Sequence, residues 1–244
     1  MLTGPYQTPT ALVKEPLMAF FCVILAPILF LTGAALIALQ FIPAFEPGTA
    51  DEIAAYQFSW LMSCLGMAAW FGLMSVWSNA IGAGPFAGKM RTEPNWVAIG
   101  LISGPLILIV PTMIVSSFMT EPGWQYNQEV NEAIFEPQNW SLAYVFVAVI
   151  MAPIVEEMAF RGVAMGAILA RGFSPVAAVT VSSLAFACSH QQYSPEAMFI
   201  VFLSGVGFGV LRLMRKTVLV PIIAHMAANA TVLSLSWVAA NPPT

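Results

Sequence analysis

A chain of 244 residues that is 59% hydrophobic and only 8% charged, with a mean hydropathy of +0.82, is far from the about 25% charged composition of soluble domains. It reads as an all-α polytopic membrane protein whose first partner is the lipid bilayer. A net charge of −4 without any basic patch argues against nucleic-acid binding. Cys22, Cys64 and Cys188 all fall in apolar runs, which argues against a disulfide framework or a cysteine metal motif.

Seven apolar segments reach the roughly 20 residues that a crossing needs. They lie near 17–44, 57–81, 96–119, 141–171, 174–193, 196–214 and 218–239. The first sixteen residues are polar, and the apolar run after them is too long for a signal-peptide core, so it reads as an uncleaved first span. Residues 1–140 then hold three N-terminal spans and an exterior loop, and residues 141–240 a helical core, together one integral membrane unit. The fourth span is longer than a bilayer requires and is expected to tilt or to project into water. Very short turns join the last four spans, which predicts a compact antiparallel bundle.

Loop charge supports this count. Of the eight basic residues, Arg161 lies inside span 4. The other seven, Lys14, Lys89, Arg91, Arg171, Arg212, Arg215 and Lys216, fall on one face if the chain crosses seven times. The opposite loops, 45–56 and 120–140, contain neither Lys nor Arg. The positive-inside rule then puts the N-terminus in the cytoplasm and the C-terminus outside.

Local punctuation agrees. Ser174-Pro175 and Ser194-Pro195 each read as an N-cap serine followed by proline at the first helical position. Trp60, Trp96, Trp140 and Trp237 sit near span ends, as interfacial tryptophans do. Gly205, Gly207 and Gly209 lack the strand–turn–helix setting of a nucleotide site, so Gly205-xxx-Gly209 predicts close helix packing.

Polar residues within the last four spans are few. Span 4 carries Glu156, Glu157 and Arg161, span 5 ends in Phe186-Ala-Cys-Ser-His190, and span 7 has His225-Met-Ala-Ala-Asn229. Ionisable groups at membrane depth cost on the order of +3 kcal/mol each on insertion scales, so they are candidates for chemistry or for an ion path. Glu157 and Arg161 are four apart and close enough to pair, which reads first as structural neutralisation. Glu156, rotated by about 100°, has no such local partner and is the better candidate for a working carboxylate. Either histidine alone could equally be an interhelical hydrogen-bond donor. At 1.5 Å per residue, His225 lies roughly 6 Å to the cytoplasmic side of Asn229, and His190 roughly 9 Å to the outer side of its span's centre. The four therefore converge only if span 5 is shifted or tilted.

A glutamate with a histidine can deprotonate water and return the proton to a leaving amine. A histidine and an asparagine can donate to the oxyanion of a tetrahedral intermediate. Glu156, His190 and His225 are also a ligand set of the catalytic zinc kind, although no His-Glu-x-x-His is present.

Glu156-Glu157-x-x-x-Arg161, Phe186-x-x-x-His190 and His225-x-x-x-Asn229, in this order on successive spans, resemble the CPBP family of CAAX-processing and bacteriocin-processing intramembrane proteases, also called the Abi family. The resemblance covers roughly residues 140–235. It implies that Glu156 and His190 activate water, that His225 and Asn229 stabilise the oxyanion, and that Glu157, Arg161 and Phe186 support the site. The family is also labelled a metalloprotease family, which keeps zinc as the alternative cofactor. Asn229 suits an oxyanion donor better than a ligand, so no cofactor is expected. The implied substrate is a peptide or protein in or at a prokaryotic cell membrane, with no oligomeric state specified. Two competing readings are a non-enzymatic bacteriocin-immunity or partner-binding protein, and a proton-coupled transporter using Glu156. The transporter reading lacks the internal repeat expected of it.

Overall fold

The computed structural model describes residues 92–118, 142–190 and 193–241. Predicted spans 17–44 and 57–81, and the loops at 45–56 and 120–140, lie outside the described residues, as do Trp60 and Trp140. Five helical stretches appear, and no strand is present among the described residues. Helix α1 is Pro94–Ser116. Helix α2 runs from Leu142 to Ala170 without leaving helical geometry. Helices α3, α4 and α5 are Pro175–Cys188, Pro195–Arg215 and Leu219–Ala240. Helices α1, α4 and α5 are long and apolar enough to cross a membrane.

The helix starts follow the predicted chemistry. Ser174 and Ser194 accept hydrogen bonds from Ala177 N and Ala197 N, at 3.1 and 3.3 Å, with proline directly after each serine. The end of α3 differs from expectation. A span reaching residue 193 was predicted, yet the helix stops at Cys188. Its last turn is closed by side chains: Ser189 Oγ donates to the Phe186 carbonyl at 2.7 Å, and His190 Nδ1 lies 2.8 Å from the same oxygen. Such groups compete with backbone donors for helix carbonyls and end the ladder.

Lipid tails are as apolar as leucine, so small residues and close backbone approach hold membrane helices together. Gly205 and Gly209 make that contact as expected. A Cβ on Gly205 would lie 3.1 Å from Ser183 Cβ, and one on Gly209 would lie 3.0 Å from a Val179 methyl. A second pair, Gly100 and Gly104, seats α1 on α5: a Cβ on Gly100 would come within 3.2 Å of the Val220 carbonyl oxygen, and one on Gly104 would collide with that of Ala224. Leu101, Ile102, Leu106, Val110 and Met113 cover the exposed side of α1. At one end of the bundle Arg215 pairs with Glu93 and lies 4.8 Å from the Trp96 ring centroid. Arg212 lies in the last turn of α4, as expected of a residue closing span 6, and its side chain is buried.

Helix α2 is irregular where the charged cluster lies. Val147–Met151 and Met158–Ala164 are π-helical, and the α-helical turn Ala152–Glu157 lies between them. Single π-turns within α-helices concentrate at functional sites.

Gly104→Val should lower the thermal midpoint in detergent, because overpacking a tight contact costs about 1–3 kcal/mol and the obstacle here is backbone. Met113→Ala, on the exposed side of the same helix, should leave it unchanged.

Candidate active site

Glu157 is fully buried, and its Oε1 is the hub of the polar cluster. That oxygen accepts from Arg161 Nη1 at 2.9 Å, one turn along the same helix. It also meets His225 Nδ1 from α5 at 3.0 Å. Arg161, equally buried, donates through Nη2 to the Gly205 carbonyl at 2.9 Å. Its guanidinium lies over the Phe186 ring at 4.5 Å and near the Phe208 ring at 5.5 Å, a favourable place for a desolvated cation. The expected Glu157–Arg161 pair is therefore present, and it holds a histidine as well.

An ionised carboxylate only accepts hydrogen bonds, so Nδ1 of His225 is the nitrogen that carries the proton. Its other nitrogen, Nε2, then faces Glu156 Oε2 across 3.7 Å. The ring is clamped by Phe208, stacked at 4.7 Å and 19°, and by the edge of Phe186 at 5.8 Å. Glu156 keeps a fifth of its side chain accessible (20%), against none for Glu157. The two neighbouring carboxylates are thus sorted by the helix rotation between them.

His190 lies two residues past the end of α3. Its Nδ1 lies on the Phe186 carbonyl, an acceptor, so that nitrogen also carries the proton and Nε2 is left as the basic atom. The imidazole packs between the Phe186 ring at 4.7 Å and the Tyr193 ring at 5.5 Å. Phe186 thereby touches Arg161 and both histidines. His190 is linked to His225 through the Phe186 ring, which packs on both imidazoles.

Asn229 stands apart from the carboxylates. Its Nδ2 donates to the Ala148 carbonyl of α2 at 2.8 Å. A carboxamide nitrogen has two hydrogens, so one is fixed on α2 and the other is available. Cα–Cβ bonds tilt toward the N-terminus of their helix. Glu156 on α2 and Asn229 on antiparallel α5 consequently lean toward each other's level.

For the alternative zinc ligands, Glu156 Oε2 and His225 Nε2 lie 3.7 Å apart, and His190 meets His225 through the Phe186 ring. Among the described residues no three His, Cys, Asp or Glu side chains are gathered at metal-binding spacing. Four contributors lay outside the sequence expectations: the Glu157–His225 bond, Phe208, Tyr193 and the Ala148 carbonyl. Phe208 was within reach, because it lies three residues past Gly205 on the same face of α4.

Residues 138–231 match the Type II CAAX prenyl endopeptidase Rce1-like family. The chain is also 30% identical over 151 residues to the membrane-embedded CAAX protease MroQ of Staphylococcus aureus (strain USA300), covering 59% of this chain. It spans 60% of that relative's length. No solved structure matches.

Removing one partner of a buried ion pair costs about 3–5 kcal/mol, because the other charge is left uncompensated. Glu157→Ala should therefore lower yield and thermal midpoint sharply, since it strands Arg161 and frees the His225 ring. Glu156→Ala, which removes only the 3.7 Å approach to His225, should leave the midpoint near wild type. Thermal unfolding of both variants in one detergent checks the contrast.

Proposed function

We propose that the chain is an intramembrane endopeptidase of the CPBP kind that hydrolyses a peptide bond with a water activated by Glu156 and His190. The observation that carries this reading is the His225 ring held between two glutamates of opposite character, one buried and paired, the other partly open. The substrate class is a peptide or protein in or at the membrane. The seven-span topology with a cytoplasmic N-terminus belongs to the same proposal, as does a site formed mainly by residues 141–240.

In this mechanism Glu156 accepts a proton from water, and His190 Nε2 orients that water through its second hydrogen. The water oxygen bonds to the carbonyl carbon of the substrate, and the carbonyl π electrons move to its oxygen. His225, with Nδ1–H anchored on Glu157, presents Nε2 toward the reaction and in its protonated form donates to that oxyanion. The free N–H of Asn229 is the second donor. Donors fixed in advance act without reorganisation when charge develops. Collapse of the intermediate breaks the C–N bond, and the proton on Glu156 passes to the departing amine. Glu157 acts through His225, much as a buried carboxylate orients the imidazole in a catalytic triad.

The test is cleavage of a peptide library by purified protein in liposomes. Wild type should cleave, and Glu156→Ala and His190→Ala should lose about 10²–10⁴-fold, the usual contribution of general acid–base groups. Turnover should survive exhaustive chelation; loss that zinc restores would favour the metallo-hydrolase instead. If no peptide is cut while a cellular phenotype persists in Glu156→Ala and His225→Ala, the protein acts by binding.

A further inference from the structure

Pro153 opens the turn that carries both glutamates, and nothing in the reaction above uses it. Its effect on α2 can be followed through the hydrogen bonds. In a regular helix the Ala148 carbonyl would accept from Ala152 N–H, four residues on. Here Ala152 N–H bonds instead to Val147, five residues back, as a π-turn requires. The corresponding π donor for Ala148 would be residue 153, and proline has no N–H. Both helical donors for this one carbonyl are therefore removed. In a hydrocarbon environment an unpaired carbonyl must find a partner within the protein. The partner is Asn229 Nδ2 at 2.8 Å.

We infer that Pro153 is a positioning residue: by emptying the Ala148 carbonyl of its helical donors, it creates the acceptor that fixes the Asn229 carboxamide for the reaction. This deepens the hydrolase reading and rests on it. The same π-turn sets the rotation of the chain before Pro153 relative to Glu156. With a regular helix in its place, Ala148 would turn by about 100° and its carbonyl would leave α5. Proline at this point thus couples the register of α2 to the aim of a side chain on α5. Pro153 itself is almost wholly buried and contacts no reacting atom in this scheme.

The expectation is counter-intuitive for stability. Pro153→Ala returns a backbone N–H and a strong helix former, so the protein should fold with an unchanged or raised thermal midpoint. Its kcat should nevertheless fall about 10–100-fold, the effect of a small misplacement of a reacting group, with KM within about twofold of wild type. Asn229→Ala should cost a similar factor. The double variant should be no worse than the single ones, because both remove one coupled arrangement. A wild-type kcat in Pro153→Ala, or losses that multiply in the double variant, would falsify the proposal.

A second measurement needs no substrate. In the ¹⁵N-asparagine-labelled protein, the Asn229 side-chain amide, identified by its absence from Asn229→Ala, should be protected from hydrogen exchange. That protection should vanish in Pro153→Ala and, if alanine fails to fold there, in Pro153→Gly. An unprotected amide in the wild type, or one equally protected in the variant, overturns the clamp. Absence of any wild-type turnover with the clamp intact overturns the hydrolase reading instead.

Discussion

One carboxylate oxygen, Glu157 Oε1, ties the site together. A carboxylate and a guanidinium buried among apolar helices persist only as a close pair, because either charge alone would be uncompensated. Arg161 pairs with Glu157 locally and then reaches α4 through the Gly205 carbonyl. His225 brings α5 to the same oxygen, and the Phe186 ring under the guanidinium brings α3. Gly205 must lack a side chain for this, since a Cβ there would sit 3.0 Å from Arg161 Nη2. Glu156 stays outside the pairing because the helix turns it away, and that leaves it as the carboxylate with solvent access.

A related constraint governs the backbone. Three carbonyls of α1 and α2 receive hydrogen bonds from side chains of other helices. Ser204 Oγ donates to Ile107, whose regular donor would be residue 111, a proline. Asn229 donates to Ala148 ahead of Pro153. Arg212 Nε donates to Arg161 at 3.3 Å, where the second π-turn diverts Met165 N–H to Phe160. Each irregularity that would weaken an isolated helix becomes a specific link between two helices. Prolines and π-turns are accepted in this setting because neighbours complete the hydrogen bonding.

Much of this was legible in the sequence, and the exceptions have physical causes. The Ser-Pro starts of α3 and α4 depend on neighbouring residues, and both were read correctly. The Glu157–Arg161 pair is a four-residue spacing on one helix and was equally accessible. The bond from His225 to Glu157 was not, because α5 can present its histidine to either glutamate. Only the rotation set by Gly100 and Gly104 against Val220 and Ala224 selects the contact. The end of α3 was missed since hydropathy counts Tyr193 as a continuation, whereas the Ser189 hydroxyl and the His190 imidazole act on carbonyls. Motif spacing also named Asn229 without indicating that half of its amide is engaged by backbone.

The brevity of α3 has a consequence for the surrounding lipid. Its 14 residues rise about 21 Å, roughly 9 Å short of a typical hydrocarbon core of about 30 Å. Hydrophobic mismatch of that size is relieved by local thinning of the leaflet beside the short helix. Ser189 and His190 would then meet a depressed headgroup layer rather than acyl chains. The proposed hydrolysis needs a supply of water, and a dimple in the bilayer would bring it close to His190 without a continuous pore. Thicker bilayers, which resist such a dimple, would slow the same catalytic groups with no change in their geometry.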